Sequence, residues 1–183
     1  LRVLLRIPKE GALLPALCRV SNVPLGILKL VLTRDPGAHN DLATPDVTTG
    51  RYPLHDAACH SRGYRACLSM GHFSRAQVLT ESKTSLVAVA ELVTRFPQAC
   101  HVEDKNSQLP VHIAIDAARK NRISTEGEVD EDYSAIVLET LLETHPESLG
   151  YRDGNTGLYP WQQAAIGRGS DLDTVFHLLR KDP

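Results

Sequence analysis

The sequence is poor in aromatic residues: Phe, Trp and Tyr make up 5% of its 183 residues, with a single tryptophan and a single methionine. It also lacks a charge bias. Lys and Arg number 20 against 22 Asp and Glu, so bulk charge points to neither nucleic acid nor an anionic membrane as a partner. No apolar run approaches the ~18 residues that a membrane span needs, because Lys29, Glu91 and similar charges interrupt each candidate. The four cysteines (Cys18, Cys59, Cys67, Cys100) are too few and too scattered for a disulfide framework in a chain of this size. That favours a reducing compartment, cytoplasmic or nuclear. The N-terminal LRVLLRIPKEG does not follow the charged, apolar, small-residue order of a secretory signal. Opening on Leu and closing on Lys-Asp-Pro, the chain is expected to be a piece of a longer protein.

Apolar residues at 42% and charged residues at 23% are ordinary for a folded domain, and their order repeats. One anchor is an apolar pair, three further residues, then proline. It occurs at Val3-Leu4…Pro8, Val31-Leu32…Pro36, Leu92-Val93…Pro97, Leu141-Leu142…Pro146 and Leu178-Leu179…Pro183. Apolar residues at spacings of three and four precede the last four pairs, for example Ile136, Leu138, Leu141 and Leu142, which predicts one buried helix face each time. Proline cannot continue such a helix and marks its end. A second anchor is GRYPLHDAA (50–58), SQLPVHIAI (107–115) and GLYPWQQAA (157–165). Here proline suits the first position of a helix, and the small residues after it let a neighbouring helix approach. Polar turns precede each start, at Asp46–Gly50, Glu103–Ser107 and Arg152–Gly157.

The unit is therefore turn, proline-started helix, second helix, proline stop. Between Pro160 and Pro183 its length is 23 residues, against 36 from Pro110 to Pro146 and 44 from Pro53 to Pro97. Two polar insertions between the helices account for the excess, 60–84 and 120–131. The second, KNRISTEGEVDE, is expected to be a solvated loop, as is the acidic run Glu126–Asp132.

This unit resembles the ankyrin repeat, with its ~33-residue period and T-P-L-H-x-A signature. Pro53-Leu54-His55 with Ala57 and Pro110-Val111-His112 with Ala114 carry the resemblance. Pro160-Trp161-Gln162 with Ala164 repeats it with Gln for His. The implied fold is all-α, a helical solenoid of about four repeats in one domain over 1–183. Residues 1–10 would end a preceding repeat, 11–48 form a degraded repeat, and 49–101, 102–151 and 152–183 three more. The threonine of the signature, a helix cap, is replaced by Tyr52, Leu109 and Tyr159, each loss costing ~1 kcal/mol unless the turn supplies another acceptor. Recurrence at matched positions makes His55 and His112 architectural. The resemblance implies that they hydrogen-bond loop backbone and tie neighbouring repeats together, as Pro53, Pro110 and Pro160 start the helices.

Reactive side chains do not recur in this way. Cys59, His60, Cys67 and His72 have the residue types of a zinc site, but their gaps match no common zinc spacing. Cys59 or Cys67, or Ser69 or Ser74 near His72, would be nucleophile candidates, yet no nucleophile elbow, oxyanion-hole signature or phosphate-binding glycine loop accompanies them. A metal-binding or hydrolytic site in 60–84 is thus the alternative to a non-catalytic module that needs no cofactor. Trp161 is expected in the core. In the ankyrin family, turn tips and exposed first-helix positions bind partner proteins. Mapped by motif, these are Arg51, Asp56, Lys105, Asn106, Gln108, Ile113, Asn155 and Gln163. The expectation is a monomeric, intracellular interaction module that binds another protein, with a structural spacer between flanking domains as a further reading.

Overall fold

The computed structural model describes residues 13–19, 25–35, 37–59, 88–124 and 131–181. Among them the chain is all-helical, with no strand. Helices α1 (Leu13–Cys18), α2 (Leu25–Arg34) and α3 (Ala38–Ala43) come first, then α4 (Pro53–Cys59) and α5 (described over 88–95). Next come α6 (Pro110–Ser124), α7 (Glu131–Thr144), α8 (Pro160–Ala165) and α9 (Leu172–Lys181). Two 3-10 turns, Pro97–His101 and Pro146–Gly150, each begin on the proline that ends the helix before.

The prolines take both expected roles. Pro53, Pro110 and Pro160 are the first helical residues of α4, α6 and α8, where a missing N–H costs nothing. Pro97 and Pro146 stand just past α5 and α7. The helices preceding them bury their apolar pairs. Leu92 and Val93 are 1% and 7% exposed, and Leu141 and Leu142 are both 2%. Burial of this kind stabilises by about 2 kcal/mol per leucine. The proline-started helices pack in chain order, α4 on α6 and α6 on α8, with α1 on α4 ahead of them, while α7 packs on α6 and α9 on α8. Ala57, Ala58, Ala114 and Ala164 are buried at these junctions, where a larger side chain would hold the helices apart. Trp161 is only half-buried, packed against the edge of the core.

Two segments depart from expectation. α3 is a short helix that apolar periodicity does not announce; it buries Ala38 and Leu42 against α1. The stretch 120–131, expected as loop, is helical at both ends: 120–124 is the last turn of α6, and Glu131, with Asp132 of the acidic run, begins α7, while 125–130 lie outside the described residues. Tertiary contacts hold 120–124 helical. Arg122 Nη2 donates to Asp171 Oδ2 at 2.5 Å, and Gly169 lies so close to the Arg119 carbonyl that a Cβ there would overlap it. The insertion over 60–84 lies outside the described residues, and so do residues 1–10.

Candidate functional site

The polar turns before α4, α6 and α8 share one construction, centred on an aspartate. Asp46, Asp104 and Asp153 stand seven, six and seven residues before the helix-starting proline. Each closes its own turn with one carboxylate oxygen. Asp46 Oδ1 accepts the Thr48 and Thr49 N–H groups at 2.9 Å, and Asp153 Oδ1 accepts those of Asn155 and Thr156 at 2.9 and 2.7 Å. Asp104 Oδ1 does the same for Asn106 and Gln108, at 2.8 and 3.1 Å. Gly50 and Gly157 follow at φ +70°, a backbone conformation that glycine adopts without a Cβ penalty.

The second oxygen of each carboxylate points back along the chain. Arg19 Nη2 donates to Asp46 Oδ2 at 2.8 Å, Arg51 Nε to Asp104 Oδ2 at 3.0 Å, and Gln108 Nε2 to Asp153 Oδ2 at 2.5 Å. Arg51 and Gln108 both lie two residues before their proline, so each turn grips the next through the same register position. Main-chain bonds run beside this ladder, from Lys105 N–H to the Thr49 carbonyl and from Gly154 N–H to the Ser107 carbonyl, both 3.0 Å. The Lys105 ammonium also donates to the Val47 carbonyl. The turns therefore stand edge to edge as one bonded surface.

Asp46 is held well below the usual carboxylate range, first by Arg19 and then by the Thr49 amide. Burial pushes Asp153 up, but hydrogen bonds from Gln108 and Thr156 outweigh it and the net shift is downward. Both stay ionised at neutral pH.

His55 and His112 sit behind this surface, both 0% exposed. His55 Nδ1 accepts the Tyr52 N–H at 3.2 Å, and His112 Nδ1 accepts the Leu109 N–H at 3.1 Å. An amide can only donate, so Nδ1 is the bare nitrogen and Nε2 carries the proton. His55 Nε2 donates to the Val102 carbonyl at 3.0 Å, 47 residues on, and His112 Nε2 to the Tyr151 carbonyl at 3.2 Å, 39 residues on. Burial lowers the pKa of both rings below the usual histidine value, which keeps them neutral. Gln162 performs the first half of this role, its Oε1 accepting the Tyr159 N–H at 3.1 Å.

The eight mapped contact positions divide. Lys105, Asn106 and Asn155 are exposed at the turn tips, and Arg51 is half-buried against Asp104. The other four are not exposed. Asp56, 5% exposed, receives Arg19 Nε at 2.7 Å; Gln108, 6%, serves the ladder; Ile113, 4%, belongs to the core. Gln163, 0% exposed, donates from Nε2 to the His112 carbonyl at 3.3 Å. The motif position that was expected to face solvent is covered by the neighbouring helix in all three units.

Of the zinc candidates, Cys59 ends α4, while His60, Cys67 and His72 lie outside the described residues, as do Ser69 and Ser74. Among the described residues no group of three or more His, Cys, Asp or Glu could hold a metal ion. Burial raises the Cys18 thiol to about 12 and Cys100 to about 11, so neither is a thiolate nucleophile. Another titratable pair is His101 and His145, with ring centroids 3.9 Å apart. Burial and then the His101 charge lower the pKa of His145. Among the described residues no helix is long and apolar enough to cross a membrane.

The recurring aspartates carry this geometry, and turn polarity alone does not single them out. Their signal is an Asp six or seven residues before each Pro-x-His or Pro-x-Gln. No protein-family model matches the chain, and no characterised protein or solved structure matches it.

Proposed function

We propose that the chain is an ankyrin-like repeat module that binds another protein through its turn surface and carries out no catalysis. The observation that carries the reading is the ladder of turns. Asp46, Asp104 and Asp153 are engaged inward and backward, so the outward tips, with Lys105, Asn106 and Asn155, are displayed on a pre-ordered frame. A rigid display loses little entropy on binding, whereas a catalytic site would require reactive groups to converge. The tips carry few charges, which fits a partner recognised by shape and hydrogen bonds.

The test compares two double variants of the chain as bait in proximity labelling from its native host. Asn106→Arg with Asn155→Arg alters the turn tips; Thr94→Arg with Glu143→Lys alters exposed positions on α5 and α7 away from them. A protein labelled by the wild type and by the α5/α7 variant, but lost with the tip variant, is the expected result. Identical labelling by all three removes the turn surface from consideration. No specific labelling at all favours a structural spacer.

A further inference from the structure

The last helix carries an apolar stripe that the described fold leaves open. Leu172, Phe176 and Leu179 on α9 are 84%, 63% and 45% exposed. At 3.6 residues per turn they fall within an arc of about 60°. Leu178, 0% exposed, points into the core from the same helix, so α9 is apolar on two adjoining sides.

Comparison with the earlier units separates the causes of this exposure. Aligned on the apolar pair, Leu179 stands where Leu32, Val93 and Leu142 are 2%, 7% and 2% exposed. Ala165, exposed at the end of α8, stands where Ala58 and Ile115 are 0% and 1%. Those positions lie on the side that each earlier unit packs against the next. Phe176 is different. Its counterparts Lys29, Ala90 and Glu139 remain exposed or half-buried although another unit follows them. An additional unit on the array would cover Leu179 and leave Phe176 in water. Whatever covers the whole stripe must face α9 directly.

The charges beside the stripe indicate what fits. Asp173 and Arg180 flank the same edge, two turns apart; neither is in an ion pair among the described residues, and the Arg180 guanidinium lies over the Phe176 ring of its own helix, 5.7 Å from the centroid. When two such helices cross antiparallel with Phe176 near the centre, edge meets like edge. Asp173 of each copy then opposes Arg180 of the other, and Leu172 opposes Leu179. The stripe is complementary to itself, as a two-fold interface requires.

We propose that α9 is the seam of a homodimer, packed antiparallel against α9 of a second copy. This replaces the expected monomer and is independent of the turn surface, which belongs to different elements. The dimer would align two turn surfaces on one particle and so raise avidity for a multivalent partner.

The test is sedimentation velocity on the purified chain over a range of concentrations, with four variants checked for an unchanged helical spectrum. Wild type should show a monomer–dimer equilibrium. Phe176→Glu should weaken it by about a hundredfold, through loss of two buried aromatic side chains. Asp173→Arg and Arg180→Asp should each weaken it, and the double exchange Asp173→Arg/Arg180→Asp should restore it, because the opposed charges are simply swapped. A wild type that is monomeric throughout overturns the proposal and leaves the stripe to a different protein. Dimerisation that survives Phe176→Glu, or a double exchange no better than the singles, overturns it equally.

Discussion

Replacing His112 separates the two bonds that its imidazole makes. In His112→Ala the Leu109 N–H, buried and aimed at Nδ1, loses its acceptor, and the Tyr151 carbonyl loses its donor. An unsatisfied buried amide costs about 1–3 kcal/mol. The carbonyl belongs to Tyr151, an exposed residue, and adds about 0.5 kcal/mol. Deleting the ring leaves a cavity on the order of 60 Å³, worth about 1.5 kcal/mol at the usual cost per unit volume. The sum is about 3–5 kcal/mol, a large fraction of the stability of a domain this size. His112→Gln should cost less, about 1–2 kcal/mol, because Gln162 shows that a glutamine at this position caps the residue before the proline.

Urea unfolding followed by circular dichroism at neutral pH measures both variants. Unfolding slopes must be compared as well as midpoints, since a weakened junction in a stacked array can split one transition into two. An alanine variant within about 1 kcal/mol of wild type would refute the junction role assigned to the ring. A glutamine variant as damaged as alanine would refute the division between cap and tie.

Two further outcomes follow from the same geometry. Gly154→Ala should destabilise the chain by about 2 kcal/mol, with a lowered thermal midpoint, since its Cβ would overlap the Asn106 carbonyl oxygen and the Ser107 Cβ and force two turns apart. Gly26→Ala, which meets no atom within 4 Å, is the control and should not lower it. Stability should also fall on acidification. His55, His112 and His145 have folded pKa values depressed from 6.5, chiefly by burial, so the unfolded chain takes up protons first. Their contribution is complete above about 6.5 and is lost as pH falls through the folded values, at up to ~1.4 kcal/mol per pH unit for each ring. For His145 the facing charges are His101, which adds to the depression, and Glu147, which opposes it. Urea midpoints that do not move between about pH 7 and pH 5 would contradict this linkage.

The helix starts and stops were legible because proline acts locally. Pro53, Pro110 and Pro160 fix φ and lack an N–H wherever they occur, so their role needs no tertiary information. His55 and His112 were legible through recurrence. The aspartate ladder was not, because an Asp in a turn looks like ordinary turn polarity until its second oxygen is seen bonded to Arg19, Arg51 or Gln108. Lys120–Ser124 reads as loop by composition, and only Asp171, 49 residues beyond Arg122, reveals why it stays helical. Motif mapping assigned Asp56, Ile113 and Gln163 to the surface because it counts positions along one helix. It does not register how closely the small residues beside them bring the next helix in.

The three proline-started helices hold their first turns together with Tyr52, Leu109 or Tyr159, and no threonine, before the proline. Each start has four N–H groups with no intrahelical partner. Proline at the first position removes one of them outright. The third residue satisfies its own by a tighter bond, His55 N–H to the Tyr52 carbonyl at 2.9 Å and His112 N–H to the Leu109 carbonyl at 3.0 Å. Asp56 and Ile113 donate to those same carbonyls at 3.4 and 3.3 Å. The residue before the proline gives its N–H to the His or Gln side chain three positions on, the reverse of a threonine cap. A Tyr or Leu is therefore tolerated where threonine would stand, because its side chain has no capping to do. Its packing then becomes useful: Leu109 is 2% exposed, and the Tyr52 ring lies 6.1 Å from Phe96. Introducing a capping hydroxyl with Leu109→Thr should accordingly destabilise the chain by about 1–2 kcal/mol, the lost burial outweighing a redundant cap.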